Sequence, residues 1–566
     1  MQSITRLALT VLFIFTLSVN PIYAQVGSAI PYENGVVSST DKHASAAGIT
    51  MLQRGGNAVD TAIAVQFALA VTAPHAGNIG GGGFMMIHLE DGTVRALDFR
   101  EKAPARATRD MFLDENGEYV PERSRVGGLA AGVPGTVDGM INALERHGTL
   151  PLEIIMQPAM NLAFEGFEIS HRLAEILNLR TEELSQFQES KAVFVRRDGR
   201  NWKAGDRLVQ RELGETLERI ARQGRNGFYS GVTARLIVQE MERTGGIITL
   251  RDLRNYQSVW RNPVKGKFNG YDMYMMPPPS SGGLVVQQIL GMIGDVDTSR
   301  TGFNSAEYIH LLTESMRRSF ADRNYYLGDP DFVEIPTTDL ISEAYLRSRM
   351  EDFDPTKATS SENISEGDLN ISGETDETTH FSVIDRNGNA VSVTTTINGW
   401  FGNYVTVTGA GFLLNNVMDD FSAKPGEPNM FGLIGTEANA IEPNKRMLST
   451  MTPLIASKDG KARFIAGGAG GPRIITATLQ NFLNIALYGM NIQESITAPR
   501  FHHQWLPDQI YFEPYFSPDT KALLNAKGHN ITTMTFIGRT HNIYIDEDGK
   551  RYGAADPRGY GTVKGY

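Results

Sequence analysis

The residues best suited to chemistry are Thr378 and Thr379, which lie where a long polar segment meets a β-rich run. If the chain were cut before Thr378, its hydroxyl would be a nucleophile and its freed α-amine the base. In the uncut chain that nitrogen is an amide and cannot accept a proton. The simpler interpretation is a surface loop that enters a hairpin across Asn387-Gly388, and the local pattern by itself favours it.

Three later segments offer groups that hydrolytic chemistry needs. Two carboxylates, Asp419 and Asp420, follow a β-rich stretch, and the adjacent hydroxyls of Ser449 and Thr450 precede a hairpin. The glycines of 467–471 link a strand to a helix, and their N–H groups are suited to an oxyanion hole. Taken singly, each segment is more typical of a turn or a strand edge than of a site.

Commoner catalytic signatures are missing from the sequence. It has no Gly-x-Ser-x-Gly and no His-Glu-x-x-His, and the absence of cysteine excludes thiol nucleophiles and thiolate metal sites. The adjacent His502 and His503 make a poor metal pair because neighbouring side chains diverge. The glycine run 77–83 lacks a Gly-Lys-Ser/Thr ending, so it predicts close backbone packing and no phosphate loop. We expect no metal and no cofactor.

The net charge and the N-terminal segment limit the partners and the location that the protein can have. A formal net charge of −11 without a basic stripe argues against a nucleic-acid or anionic-membrane partner. Residues 1–24 are typical of a secretory signal, with Arg6 before the apolar run Leu7–Val19 and Ala24 at the cut. The run is too short to favour a membrane span, although an uncleaved anchor is the alternative. We therefore expect an exported protein, periplasmic or secreted.

Element patterns change along the chain at the polar segment 358–376. Before it the pattern is mostly helical with one strand pair, and after it hairpins recur, which predicts an α+β sandwich of sheets with helical layers. The predicted helices and hairpins are Ala44–Leu52, Asn57–Val71, the hairpin within 84–99, a helix from Leu284, Ala306–Asp322, and hairpins within 381–396, 454–466 and 542–552.

Taken together and in order, these segments resemble γ-glutamyltranspeptidases (glutathione hydrolases), which are self-cleaving N-terminal-nucleophile hydrolases. The resemblance extends over nearly the whole chain after the signal and implies a four-layer αββα sandwich. Its carriers are Gly77–Met85, Asp98–Glu101, Pro277–Gly283, Thr378–His380, Asn415–Phe421, Gly470-Gly471, Pro499–His503 and Asp556–Arg558.

The resemblance implies a role for each catalytic candidate. Thr378 is the nucleophile, released when the Glu377–Thr378 bond is cleaved autocatalytically. Thr396, on the partner strand, orients it, and Gly470 and Gly471 form the oxyanion hole.

The resemblance also implies a pocket for a γ-glutamyl head group. Arg100 pairs with the α-carboxylate, helped by the Ser449 and Thr450 hydroxyls. Asp420 and Asn398 take the α-ammonium group. Arg500 and Arg558 match family positions and are interpreted as structural or maturation residues.

Four positions depart from the family pattern. Val417 stands where relatives carry Gln or Glu, so one polar anchor for the α-amino group is missing. Phe431 replaces a lid tyrosine and lacks its hydroxyl. Thr450 replaces a serine and keeps the hydroxyl. Glu377 precedes the cut where Gln is frequent, and we do not expect this to block cleavage.

The resulting prediction is a signal peptide, 1–24, a large subunit, 25–377, and a small catalytic subunit, 378–566, intertwined as one globular domain. The enzyme would cleave glutathione and other γ-glutamyl amides through an acyl-enzyme on Thr378, and transfer the acyl group to water or to an amino acid or peptide. Two alternatives stay open. One is an acylase of the same fold acting on glutaryl-type amides, and the other is an exported binding or scaffold protein in which Thr378 is inert.

Overall fold

The computed structural model of the chain describes residues 29–294, 296–297, 301–366, 378–424, 427, 429–430 and 437–566. Its strands are β1–β20 in chain order: Pro31–Tyr32, Val36–Ser39, Gly82–His88, Val94–Asp98, Phe167–Glu168, Arg207–Leu208, Val259–Arg261, Val264–Phe268, Tyr271–Met275, Thr379–Ile384, Ala390–Thr396, Leu454–Lys458, Lys461–Ala466, Gly468–Ala469, Phe501–His502, Ile510–Phe512, Ile531–Thr533, Arg539–Ile545, Arg551–Ala555 and Thr562–Gly565.

The α-helices are α1–α19 in chain order: Lys42–Gln53, Ala58–Thr72, Pro121–Arg125, Thr136–His147, Leu152–Glu165, His171–Leu179, Thr181–Leu184, Gln188–Phe194, Arg211–Gln223, Asn226–Tyr229, Gly231–Thr244, Leu250–Asn255, Gly282–Ile293, Ala306–Tyr326, Thr337–Leu340, Glu343–Ser348, Arg473–Tyr488, Ile492–Thr497 and Pro518–Ala526. Short 3-10 turns lie at Gly128–Ala130, Ser361–Asn363, Val417–Asp420 and Glu437–Asn439.

Two large antiparallel sheets organise these strands. The seven-stranded sheet has the order β20-β2-β10-β11-β3-β4-β7, and the eight-stranded sheet has β1-β19-β18-β13-β12-β9-β8 with β14 attached to β18. The central strands of the seven-stranded sheet come from both sides of residues 358–376, since β11 pairs with β10 and with β3. The chain segments before and after the polar run therefore share one sheet.

Strand alternation divides the core into three apolar layers. Met85 and Ile87 of β3 face a helical layer that contains α1, α2, α4 and α5, whereas Phe84 and Met86 face the eight-stranded sheet. On the far side of that sheet, α13, α14 and α17 form a third layer. The order helices, sheet, sheet, helices is the predicted αββα sandwich.

Helix α2, in the first helical layer, is buried on all its faces. Asn57 caps its N-terminus in a capping box with Asp60, and all fifteen residues of the helix are buried. A helix that is apolar all round requires neighbours on every face. It ends at Thr72, just before Pro74.

The glycine run before β3 serves close packing, as predicted. A Cβ at Gly80 would collide with the carbonyl oxygen of Leu413, and one at Gly81 with that of Thr396. The backbone of this run therefore lies directly against the segments that follow β11.

The predicted elements are present, with small shifts at their ends. Helix α1 extends one or two residues beyond its predicted bounds, α2 begins and ends one residue later than predicted, and α14 continues to Tyr326. The turn between β10 and β11 is longer than the tight Asn-Gly turn expected, because Asp385 caps a five-residue loop with its side chain. Within the described residues, no helix is both long enough and apolar enough to cross a membrane.

Candidate active site

Thr378 lies immediately before β10, a central strand of the seven-stranded sheet. It is 8% exposed, and within the described residues its Oγ1 makes no protein hydrogen bond. A buried hydroxyl without a partner is uncommon, because its desolvation is not compensated. The geometry therefore leaves this oxygen available for a substrate.

Thr396 ends β11, the strand paired with β10, and is fixed by its neighbours. Its Oγ1 accepts a hydrogen bond from the Asn398 N–H at 2.7 Å, and its carbonyl oxygen accepts one from the Asn78 side chain at 2.9 Å. Asn398 has a φ of +70° and donates from Nδ2 to the carbonyl of Asn416 at 3.1 Å. Its Oδ1 has no protein partner in the described part of the chain.

Gly470 and Gly471 form the turn between β14 and α17. Their φ angles are +132° and +61°, values that side chains rarely adopt. Arg473 holds the turn by donating from Nε to the Gly470 carbonyl at 2.9 Å. Among the described residues neither glycine N–H has a protein acceptor, and both lie at the N-terminus of a sixteen-residue helix. Such a turn favours a developing negative charge.

Arg100 and Asp420 form a buried ion pair with an NH2–Oδ2 distance of 2.5 Å, and both side chains are 0% exposed. The guanidinium also bonds Glu101 at 3.2 Å and the Met447 carbonyl at 3.4 Å. The structure thus brings together the two residues that the sequence assigned to the opposite charges of one head group. Glu101 was missed as a neighbour because its only sequence signal was its place next to Arg100.

Ser449 and Thr450 differ in how their hydroxyls are used. The Ser449 Oγ accepts a hydrogen bond from the Met451 N–H at 3.1 Å, and its carbonyl accepts two from Ser281. The Thr450 Oγ1 is fully buried and has no protein partner within the described residues. Thr450 is therefore the freer of the two hydroxyls.

Val417 is fully buried in an apolar cluster that also contains Met418, Phe421 and Met447. A Cβ placed at Gly132 would touch both Val417 and Glu101, so Val417 packs close to the neighbour of Arg100. Its effect on donor selectivity stays a prediction. Glu377 and Phe431 lie outside the described residues, as does the signal segment.

A cavity of about 100 Å³ opens directly on Thr378. Thr379, Asn398 and Gly470 share its wall. Of the residues that the sequence assigned to the head group, Asn398 lines this cavity, whereas Arg100, Asp420, Ser449 and Thr450 are not part of its described lining. Sequence reasoning did not identify five further residues of its lining, because they come from distant segments without local motifs: Arg172, Trp400, Phe536, Arg539 and His541.

The histidines near the site are neutral structural groups. His380 bonds Thr394 at 2.9 Å and Ser382 at 3.1 Å, and burial holds the pKa of its imidazole well below 6.5. His502 and His503 bond different partners, Gln504 and Asp508. Within the described residues, none of these three imidazoles is hydrogen-bonded to the Thr378 hydroxyl.

One cluster of ligating residue types was missed by the sequence. His310, Glu314 and His529 lie together, with 2.7 Å between the two imidazoles. Arg318 binds the Glu314 carboxylate at 2.6 Å and Arg317 lies 3.4 Å from it. Two guanidinium groups beside the carboxylate disfavour a cation at this position.

Arg500 and Arg558 join the C-terminal segments. Arg500 is buried and pairs with Asp556 at 2.9 Å, and Arg558 pairs with Glu513 at 2.5 Å and with Asp556 at 3.2 Å. Their contacts fit the structural role expected from the sequence.

An antiparallel αββα sandwich with a threonine at the head of a central strand defines the class of N-terminal-nucleophile hydrolases. Comparison of the sequence with known protein families identifies the family within this class. The sequence model of the Gamma-glutamyltranspeptidase family matches residues 44–566. The chain therefore belongs to the γ-glutamyltranspeptidase family.

Three known proteins illustrate the similarity. The glutathione hydrolase proenzyme of Escherichia coli strain K12 is 48% identical over 93% of this chain and 90% of its own length. A crystal structure of cephalosporin acylase from Bacillus halodurans has a TM-score of 0.86 at 26% identity, covering 98% of this chain and 99% of its own. A chain of Helicobacter pylori γ-glutamyltranspeptidase has a TM-score of 0.57 at 45% identity, and covers 61% of this chain but 96% of its own.

Proposed function

We propose that the protein is a γ-glutamyl hydrolase and transpeptidase that acts on glutathione and related γ-glutamyl amides. One continuous set of contacts supports this function. Asn398 bonds Thr396 on one side and Asn416 on the other, and the 3-10 turn that follows Asn416 ends at Asp420. These contacts connect the neighbourhood of Thr378 to the buried Arg100–Asp420 pair.

In this proposal the chain activates itself by cleaving the Glu377–Thr378 bond. The Thr378 Oγ1 attacks the Glu377 carbonyl, and the peptide rearranges to an ester. Water then hydrolyses the ester, which leaves a carboxylate on Glu377 and a free α-amine on Thr378. The products are the subunits 25–377 and 378–566. The partial span of the Helicobacter pylori chain supports such a division.

The freed amine then acts as the base. A terminal α-amine has a pKa of roughly 7.7–8.0, so a useful fraction is neutral near neutral pH. It takes the proton from Oγ1 as that oxygen attacks the γ-carbonyl of the substrate. The Gly470 and Gly471 N–H groups stabilise the oxyanion, and the leaving amine receives the proton as the C–N bond breaks. Water or an acceptor amine completes the cycle on the acyl-enzyme.

The Arg100–Asp420 pair supplies recognition of the amino-acid head group. The α-carboxylate of the substrate would lie beside Arg100, and its α-ammonium group beside Asp420. Each substrate charge would then face a protein group of the opposite charge. Charge-assisted hydrogen bonds of this kind are among the strongest in proteins. Thr450 adds a buried hydroxyl toward the carboxylate, and Asn398 adds its unpartnered Oδ1 toward the ammonium.

An acylase acting on glutaryl-type amides is the second candidate. The structural likeness to cephalosporin acylase and the apolar side chain of Val417 favour it. A glutaryl group carries no ammonium, however, so it offers nothing to Asp420. The buried anion therefore favours the γ-glutamyl substrate. We further propose that residues 1–24 direct export, to the periplasm or outside the cell, and that no metal or cofactor takes part.

The cleavage is tested with the parent chain and its Thr378→Ala variant on a denaturing gel. The parent should give two fragments that match 25–377 and 378–566, and the variant should remain one chain. N-terminal sequencing of the small fragment should begin at Thr378. A parent that stays uncut would contradict the proposed activation.

The substrate is tested with the processed enzyme on two anilides that differ in one group. A γ-glutamyl anilide carries the α-ammonium, and a glutaryl anilide lacks it. We expect kcat/KM to favour the γ-glutamyl compound by tenfold or more, on the order of a hydrogen bond to a charged group. Faster turnover of the glutaryl anilide would identify the acylase instead.

A further inference from the structure

The cavity beside Thr378 is lined by Thr378, Gly470 and Asn398, and of the proposed head-group residues only Asn398 reaches it. Arg100, Asp420, Ser449 and Thr450 are not part of its described lining. In the proposed function, on which this inference rests, the scissile carbonyl lies at Thr378 with the γ-glutamyl group toward Arg100. The amine half of the substrate must then extend to the other side of Thr378. The cavity offers space beside Thr378 for that half, away from Arg100 and Asp420, which do not line it.

The cavity lining also contains two guanidinium–aromatic pairs. The Arg172 guanidinium lies 5.1 Å from the ring centroid of Trp400, and that of Arg539 lies 4.1 Å from Phe536. Stacking on a ring fixes a guanidinium in place and leaves its edge N–H groups directed outward. Among the described residues Arg172 has one weak ionic neighbour, Glu175 at 3.4 Å, and its side chain is 30% exposed.

Asp41 is the one carboxylate among the described residues of the lining, and within these residues it forms no ion pair with Arg172. The Arg539 Nε donates to the Arg558 carbonyl at 3.1 Å, so Arg172 is the better placed of the two cations to bind an anion. The Asp41 carboxylate is engaged as the N-cap of α1, where its Oδ1 accepts from two backbone N–H groups. Burial lowers the pKa of His75 to about 3 and that of His541 to about 4, so both imidazoles are neutral at pH 7. Arg172 also lies in the first turn of the nine-residue helix α6, whose N-terminus favours an anion.

We propose that this cavity binds the amine half of the substrate and that Arg172 binds its terminal carboxylate. For glutathione the amine half is a dipeptide about 7 Å long when extended, with one carboxylate at its end. Trp400 and Phe536 contact the side chains between. The enzyme should therefore select donors and acceptors that end in a free carboxylate, and should give no such preference to neutral amines.

The test compares three donors on the processed enzyme: glutathione, its glycine ethyl ester, and γ-glutamyl-p-nitroanilide. The parent should prefer glutathione to the ester by about tenfold in kcat/KM, as expected for a charge-assisted hydrogen bond. Arg172→Gln should remove this preference by lowering kcat/KM for glutathione. It should change kcat/KM for the anilide less than twofold. Arg172→Lys, which keeps the charge, should retain part of the preference.

Arg180→Gln is the matched control. Arg180 also lies over Trp400, at 5.6 Å, but it pairs with Glu183 at 2.6 Å and does not line the cavity. This variant should behave as the parent on all three donors. Each variant is first shown by gel to be cut into two fragments, so that a processing defect is not mistaken for a binding defect.

Three results would overturn the proposal. They are a preference for the free carboxylate that survives Arg172→Gln, an equal loss on glutathione and the anilide, and loss of the preference in Arg180→Gln. A parent that cleaves no γ-glutamyl donor would instead contradict the proposed function. The two failures are therefore distinguishable.

Discussion

Individual hydroxyls around the head-group pocket are held differently, and the difference indicates which of them await a ligand. Ser449 already accepts a backbone hydrogen bond, whereas Thr450 has a buried Oγ1 without a protein partner among the described residues. Leaving a polar atom unsatisfied in the interior costs free energy that a substrate contact can offset. Thr378 is in the same condition.

At the residue scale, Thr450→Val should weaken substrate binding without destabilising the fold. Valine matches the shape of threonine, and removing an unsatisfied hydroxyl costs the folded state little. We expect the KM for a γ-glutamyl anilide to rise about tenfold, and Tm to stay the same or to rise. Ser449→Ala is the comparison variant, because it breaks an existing hydrogen bond and should lower Tm. An unchanged KM in Thr450→Val would show that the Thr450 hydroxyl does not contact the substrate.

At the scale of elements, the position of β10 depends on a contact that His380, two residues after Thr378, makes with a neighbouring segment. The imidazole of His380 packs against Gly467, which lies between β13 and β14 just before the Gly470 turn. A Cβ at Gly467 would collide with this ring. The strand that begins just after Thr378 and the segment that leads to the candidate oxyanion hole are therefore in direct contact.

Gly467→Ala should consequently impair cleavage and stability together. Overpacking of a filled core costs about 1–3 kcal/mol, and here the strain falls on the strand that begins beside Thr378. We expect a lower Tm and a smaller fraction of cut chain after expression, both measured on the same preparation. Gly302→Ala is the control, because a Cβ there meets no atom within 4 Å and φ is not positive. Normal processing and Tm in Gly467→Ala would contradict the coupling.

The sequence predicted elements well where one local signal was strong. Fifteen consecutive residues without a polar face, preceded by Asn57, predicted α2 to within a residue at each end. The family resemblance assigned Arg100 and Asp420 to one pocket, and the structure places the two side chains in contact, while their role in binding stays a prediction. Their direct pairing was not predictable, because the two residues are separated by 320 positions and meet only when the sheets assemble. The cavity around Trp400 escaped prediction for the same reason.

At the scale of the whole molecule, burial of imidazoles couples stability to pH. Burial lowers the pKa of several histidines to about 3 or 4 from the ordinary 6.5: His75, His502, His503, His529 and His541. Between pH 6.5 and about 4 the unfolded chain binds protons that the folded chain excludes. Stability therefore falls as pH is lowered through this window, at about 1.4 kcal/mol per pH unit for each histidine.

His502 allows this coupling to be measured at one site. Its two nitrogens bond Thr476 and Gln504, each at 2.9 Å, in the neutral form. In the uncut Thr378→Ala background, which keeps unfolding unimolecular, His502→Gln should reduce the slope of unfolding free energy against pH by about 1.4 kcal/mol per unit between pH 4.5 and 6. The variant should also be less stable than its parent at pH 7, because it loses the imidazole hydrogen bonds.

His171→Gln, at an exposed position of α6, is the control for His502→Gln and should leave the slope as it is. Denaturant unfolding at several pH values gives each slope directly. Because the histidines are distributed over the sandwich, a smaller slope in the buried variant alone would mean that protonation of buried imidazoles drives acid unfolding. An equal slope in His502→Gln and its parent would show that carboxylates govern the acid limit instead.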